Sequence, residues 1–238
     1  MRRRFFVEKF DGQRALVSGD RAHHLGVVLR AQPGQLYELS DGTRVCLGRI
    51  EKVARDNVEF VLLEELAAQE PKLQVVLLLS VVKFDAFEWA IEKATELGVT
   101  EIVPLAAARS EKALIAAAEK RSERWRKIVL EAAQQSRRVR LPTLQPVARP
   151  EAAFLARADR LGIFLSERAD APSLRTAFKD RAASEAVLAI GPEGGWTDEE
   201  RDAALNAGFH EASLGRLILR TETAVIAALA SLAYALGD

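Results

Sequence analysis

An α/β fold, with a parallel sheet preceded by a small β-domain, is what this sequence predicts, and three observations carry it. Residues 5–66 form short apolar runs broken by Gly, Pro and Asp-Gly, which read as strands joined by tight turns. The unbroken apolar run KLQVVLLLSVV follows, as expected of a strand buried on both faces of a parallel sheet. Beyond it, apolar runs alternate with segments of helical spacing, which implies a sheet covered by helices on both sides. The polar, proline-ended stretch 67–71 separates the two patterns, so the expected domains are 1–70 and 71–238.

In the first part the strands are FFV, ALVSG, QLYELSDGTRVCLGRI and NVEFVLLEEL, with Asp41-Gly42 at a hairpin turn because both tolerate positive φ. DRAHHLGVVLR has helical spacing and Asp20 as its expected cap. In the second part FDAFEWAIEKATELG places Phe87, Ile91, Ala94 and Leu97 near helical spacing, with Gly98 at the C-cap. VTEIVPL is the next strand, and an alanine-rich, charged segment over 110–138 is a long helix. RLGIFLS and AVLAIGPEGG are strands, DEERDAALNAG a helix, EASLG a short strand that Gly215 breaks, and RTETAVIAALASLAYALG an apolar helix.

With 238 residues the chain can bury a core in each part, and 49% hydrophobic with 29% charged residues is a folding composition. Lys plus Arg and Asp plus Glu both number 34, so any basic face is local, as at Arg2, Arg3 and Arg4, at 121–127, and at Arg137, Arg138 and Arg140. The single cysteine, Cys46, cannot form an internal disulfide, which fits a cytosolic address and a buried strand position. The basic start lacks a signal-peptide apolar stretch and no run approaches about 18 apolar residues, so secretion and membrane spanning are disfavoured.

LAIGPEGGWTDEE is the densest chemical signal. Gly191, Gly194 and Gly195 leave main-chain groups uncovered between a buried strand and a helix, and Thr197 with Glu200 forms a capping box. Neither phosphate-loop spacing occurs, and Glu193 with Asp198, Glu199 and Glu200 would repel phosphate. A neutral adenosine or a cationic sulfonium is compatible, which favours S-adenosylmethionine over a nucleoside triphosphate. In SLGRLILRTETAVIAAL, Arg220 and Glu222 stand where a helix opens at Thr221 to Thr223, and a shared pocket with the glycine turn is expected at the carboxyl ends of the strands. The plainer reading is a Thr cap with a solvated Arg and Glu. Lys83 and Arg109 also stand at strand ends facing that crevice. His23 and His24 diverge by about 100° on a helix and His210 stands alone, so no metal site is expected. There is no GxSxG elbow for nucleophilic hydrolysis.

RRFFV, HHLGVVLR, SDG, EWAIEKATELGV, RWRKIVLEAAQQSRR, IGPEGGWTDEE and LGRLILRTETA, in this order and almost end to end, resemble the 16S ribosomal RNA uridine-N3 methyltransferase family, RsmE, within the knotted SPOUT methyltransferases. The resemblance implies a PUA-like RNA-binding β-barrel over 1–70 and a SPOUT methyltransferase domain with a C-terminal trefoil knot over 71–238. It implies a cytoplasmic homodimer without metal, using S-adenosylmethionine on 16S rRNA in the small ribosomal subunit. Carried over by position, the cofactor lies at Leu165 and Ser166, at Ile190, Gly191, Pro192, Glu193, Gly194 and Gly195, and within 214–224 at Leu214, Gly215, Ile218, Leu219, Arg220, Thr223 and Ala224. Two places depart from the family pattern. Arg216 and Leu217 stand where it usually has Pro, and RRVRLP stands where many members carry Asn.

Methylation of uracil N3 requires loss of the imide proton and stabilisation of the anion that develops on O2 and O4. Arg220 is the candidate cation, with Arg138 in reserve, and Glu222 orients Arg220 or accepts the proton. Arg2, Arg3, Arg4, Arg30 and Lys83, together with Arg109, Arg137 and Arg140, are the candidate RNA contacts. Two rival readings remain open: a methyltransferase of another rRNA or tRNA position, and a non-catalytic RNA-binding protein.

Overall fold

A computed structural model of the chain describes residues 3–68, 71–178 and 183–236. It divides into two compact units, Met1–Glu70 with Ala133–Leu141, and Pro71–Ala132 with Pro142–Asp238.

The first unit is a mixed six-stranded sheet in the order β1-β4-β5-β6-β3-β2. Its strands are β1 (Arg4–Phe6), β2 (Phe10–Asp11), β3 (Arg14–Ser18), β4 (Leu36–Ser40), β5 (Val45–Val53) and β6 (Asn57–Leu66). All pairings are antiparallel except β1 with β4. Register shifts between Leu47 and Gly48 and between Ile50 and Lys52 bend β5 against β6. The Asp41 carboxylate accepts the N–H groups of Thr43 and Arg44, which closes the β4–β5 turn. Alternation puts Ala15, Val17, Val58 and Phe60 into one core with Phe5, Leu25, Leu39 and Ile50. Cys46 is buried in β5, and burial pushes its thiol pKa up.

Asp20 does not cap its helix. Helix α1 (Asp20–His23) has Gly19 as N-cap, at φ +64, and Asp20 opens the first turn, where a carboxylate still suits the positive helix end. The segment then widens into a π-helical turn, His24–Val28, closed by the Leu29 N–H donating to the His24 carbonyl.

The second unit is a six-stranded parallel sheet in the order β12-β10-β11-β7-β8-β9. The strands are β7 (Gln74–Ser80), β8 (Glu101–Leu105), β9 (Thr143–Leu144), β10 (Leu161–Leu165), β11 (Glu185–Ile190) and β12 (His210–Ala212). Its helices are α2 (Phe84–Glu96), α3 (Lys112–Gln135), α4 (Pro150–Leu155), α5 (Leu174–Phe178), α6 (Asp198–Asn206) and α7 (Thr221–Leu236). The run VVLLL, residues 75–79, is apolar throughout because both faces are covered. Leu77 and Leu79 join a core with Phe87, Ile91, Trp125, Val225 and Leu229 from α2, α3 and α7. Val76 and Leu78 join the opposite core with Phe154 and Ala204 from α4 and α6. Each fully buried large apolar side chain contributes roughly 1.5–3 kcal/mol relative to exposure.

Helix α2 buries Phe87, Ala90, Ile91 and Ala94, the i, i+3, i+4, i+7 face of an amphipathic helix. Leu97 is its C-cap, and Gly98 lies one residue beyond at φ +94. Strand β12 stops at Ala212, so Gly215 lies in the following loop rather than within a strand. There the Ser213 hydroxyl bonds to both the N–H and the carbonyl of Gly215. No helix among the described residues is long and apolar enough to cross a membrane.

Because β12, β10 and β11 are neighbours and parallel, the loops at their carboxyl ends converge.

Candidate functional site

The loop after β11 is set by its glycines and by what packs behind them. A Cβ on Gly191 would come within 2.9 Å of Trp196 Nε1, so the absence of a side chain lets the indole lie against the backbone. Trp196 Nε1 donates to the Leu165 carbonyl at 2.9 Å, which ties the end of β10 to the turn after β11. Gly195 has φ +70, and a Cβ there would overlap the Glu167 carboxylate. The turn is braced from the other side by Arg109 Nη1, which donates to the Gly194 carbonyl at 2.9 Å.

The capping box of α6 is present. Thr197 Oγ1 accepts the Glu200 N–H at 3.2 Å, and Glu200 Oε2 accepts the Thr197 N–H at 2.9 Å. Glu200 is buried, and its second oxygen accepts the Ala108 N–H at 2.8 Å, so one carboxylate fixes both the helix start and the loop after β8. At the other edge Arg201 donates to both oxygens of Glu211. These bonds hold the Glu211 carboxyl below the usual glutamate range, against the opposing effect of burial.

These loops enclose a cavity of about 200 Å³. Its walls come from three stretches distant in sequence: 165–167, 190–194, and 213–219 with Thr221 and Ala224. The last stretch is latched to the glycine turn by Thr221 Oγ1, 3.3 Å from the Gly191 carbonyl. Glu167, Glu193 and Arg216 are the charged side chains along the wall.

Of the residues expected at the cofactor, Leu165, Ser166, Ile190, Gly191, Pro192, Glu193, Gly194, Leu214, Gly215, Ile218, Leu219 and Ala224 line this one cavity. Gly195, Arg220 and Thr223 do not line it. Gly195 is buried behind the turn, while Arg220 and Thr223 are exposed at the start of α7. Glu222 is half-buried in the first turn of α7 and is also outside the lining. Glu167 and Ser213, each one residue beyond an expected stretch, do contribute. The signal for both was position alone, since each continues a loop leaving the end of a sheet strand.

The basic residues divide. Arg2 lies outside the described residues. Arg3, Arg30, Lys83 and Arg109 are exposed, Arg30 with φ +50 and Lys83 as N-cap of α2. Arg4 is a correction to the expectation of a surface cation. It pairs in register with Glu38, both are buried, and its Nε and Nη2 donate to Glu38 Oε2 at 3.1 and 2.9 Å. Arg137 donates to the other Glu38 oxygen and its carbonyl accepts from Arg4, so the two arginines share one carboxylate within the first unit. A carboxylate buried between strands requires such partners, which is why these two arginines point inward. Arg138, half-buried, and Arg140, exposed, lie in the same segment, Ala133–Leu141, which the Ser40 hydroxyl anchors by donating to the Val139 carbonyl at 2.6 Å. His23 and His24 are exposed, and no group of three or more His, Cys, Asp or Glu among the described residues could hold a metal ion.

A family model described as an RNA methyltransferase domain matches residues 69–233. Ribosomal RNA small subunit methyltransferase E of Synechocystis is 37% identical over 218 residues, covering 88% of this chain and 69% of that one. Its namesake in Bacillus subtilis is 31% identical over 231 residues, covering 92% and 89%. Among solved structures, ribosomal RNA small subunit methyltransferase E from Neisseria gonorrhoeae, bound to S-adenosyl methionine, superposes with a TM-score of 0.90 at 31% identity, covering 100% of this chain and 99% of that one. A putative methyltransferase from Legionella pneumophila, in complex with the same cofactor, gives 0.88 at 31% identity with the same coverage.

Proposed function

The chain belongs to the RNA methyltransferase family that contains ribosomal RNA small subunit methyltransferase E, and from that premise we propose that it methylates N3 of a uridine in 16S ribosomal RNA. It is an S-adenosylmethionine-dependent ribosomal RNA methyltransferase. The observation that carries this reading is the single cavity shared by the glycine turn after β11 and the 213–224 stretch, at the carboxyl ends of adjacent parallel strands.

The residues present fit the cofactor. Gly191, Gly194 and Gly215 on the lining place no side chain of their own over the backbone there, as a nucleoside recognised by main-chain groups needs, and a wall with two acids suits a cation better than a phosphate. When bound, S-adenosylmethionine supplies an electrophilic methyl group on a sulfonium sulfur, which keeps the electron pair of the broken C–S bond as a neutral thioether. The protein orients uracil N3 toward that methyl and stabilises the imide anion formed as N3 loses its proton. Arg220, an exposed cation between cavity residues Leu219 and Thr221, is the side chain for that stabilisation. Glu222, two residues on, orients it or accepts the N3 proton. N3 lies on the pairing edge, so the target base enters unpaired or flipped.

Several further properties belong to the same reading. The first unit is a PUA-like barrel that binds RNA, with Arg3, Arg30, Lys83, Arg109 and Arg140 as candidate contacts across the chain, and Arg138 is the reserve cation for the reaction. The second unit is a SPOUT domain with a trefoil knot. That topology is supported by the return of the chain from edge strand β12 past β10 to the turn after β11, where Thr221 meets Gly191. The protein acts as a cytoplasmic homodimer on the small ribosomal subunit, and Leu217, Ile218 and Tyr234, exposed by 82%, 84% and 95%, are apolar surface for a second copy to cover.

Incubation with methyl-labelled cofactor and small ribosomal subunits lacking the modification, followed by nucleoside analysis, tests the reading. N3-methyluridine is the expected product, and a different methylated nucleoside or an unlabelled RNA would refute it.

A further inference from the structure

We propose that Glu167 makes the cavity prefer the cationic methyl donor over the neutral product left after transfer, an inference that rests on the methyl-donor reading above. Transfer removes the methyl group and with it the positive charge of the sulfonium, leaving a neutral thioether and the rest of the cofactor unaltered. A binding site that distinguishes the two forms therefore needs a negative group within the cavity that is not already neutralised by the protein.

The acids around the glycine turn differ in this respect. Glu200 is occupied by two backbone N–H groups, and Glu211 is held by Arg201. Asp198 faces Arg168 at 3.6 Å. Glu167 lines the cavity and has no cationic partner among the described residues. Its neighbour Arg168 turns away to Asp170 and Asp198, and the Arg168 N–H is fixed by the Ser166 hydroxyl at 3.2 Å.

Glu193, the other wall acid, is exposed like Glu167 but stands in the glycine turn itself, whereas Glu167 is seated against a buried residue behind that turn. The Glu167 carboxylate rests against Gly195, a buried residue at φ +70 where any Cβ would displace it. The glycine thus serves two ends: it takes the left-handed backbone of the turn and leaves the space that the carboxylate fills. On the same wall Arg216 offers the opposite charge, suited to the carboxylate of the cofactor's methionine part. A wall with two acids and one base is complementary to a ligand with two positive charges and one negative.

Calorimetric titration of the unaltered protein and of Glu167→Gln with S-adenosylmethionine, sinefungin and S-adenosylhomocysteine tests the assignment. Sinefungin carries an amine in place of the methylsulfonium and so keeps the positive charge. In Glu167→Gln the two cationic ligands are expected to bind about fivefold more weakly, with the neutral product within about twofold, the modest size reflecting solvent screening of an exposed carboxylate. Glu167→Asp, which keeps the charge, should retain most of the preference. Equal weakening of all three ligands would mean that Glu167 holds a part common to them, such as the ribose hydroxyls, and would overturn the inference, as would unchanged binding of all three. If the unaltered protein bound none of them, the methyl-donor reading itself would fail, and this inference with it.

Discussion

The Glu38 cluster of the first unit and the cavity wall of the second contain the same residue types in opposite circumstances. In the first, Arg4 and Arg137 share the single buried carboxylate of Glu38, one on each oxygen. In the second, Glu167, Glu193 and Arg216 face a cavity, and Arg220 stands exposed beside it, none of them ion-paired among the described residues. Charge closed on itself holds strands together, whereas charge left open is available to a ligand. A linear run of arginines does not distinguish the two, because the distinction depends on which carboxylate the fold brings alongside.

Arg220→Ala should lower methyl transfer about 100-fold, the scale of losing one preorganised charge-stabilising donor. The midpoint of thermal unfolding and the affinity for S-adenosylmethionine should stay nearly unchanged, because the side chain is exposed and outside the cavity lining. A variant that melts early and retains its rate would place Arg220 in the class of Arg4. Glu38→Gln should do the reverse. It leaves two guanidinium groups without their buried counter-charge and should cost about 3 kcal/mol of unfolding free energy in denaturant titration. Loss of turnover without loss of stability would contradict the structural assignment.

A third ion pair, Arg201 with Glu211, joins α6 to β12. Glu211 has a depressed pKa in the folded protein because Arg201 bonds to the ionised form. Its stabilisation is therefore fully present at neutral pH, above the unfolded value, and is lost as pH falls through the folded value. Glu211→Gln should lower stability at pH 7 by about 1 kcal/mol for a partly exposed charge-assisted pair. The difference from the unaltered protein should vanish in strong acid, as read from unfolding curves across pH. A difference that persists there would assign the effect to packing.

Much of the second unit was legible because its signals are local. The apolar run of β7 announced a strand covered on both faces, and Thr197 with Glu200 announced the start of α6. The glycine turn announced backbone that must approach something closely. What stayed hidden is non-local. Ala133–Leu141 belongs with the first unit, although its sequence simply continues a helical, basic segment. Arg4 is buried because β1 pairs with β4 in parallel, and an Arg-Arg-Arg start carries no mark of that pairing. The π-helical turn at His24–Val28 shares its residue types with an ordinary helix. At the site, Glu167 and Ser213 escaped because a loop wall is defined by where strands stop in three dimensions.

The cavity has no local precursor. Its three walls leave β10, β11 and β12, and the middle strand of that trio in the sheet is the earliest of them in the chain. No hairpin, helix or strand–helix unit contains enough of the wall to bind anything, so an incompletely folded chain lacks the pocket altogether. A molecule that occupies it recognises only the finished fold and stabilises that fold by mass action, by about 2.7 kcal/mol at a hundredfold excess over Kd. Assembly quality and ligand occupancy are therefore one measurement, and a resistance-to-proteolysis assay with and without the methyl donor reports both.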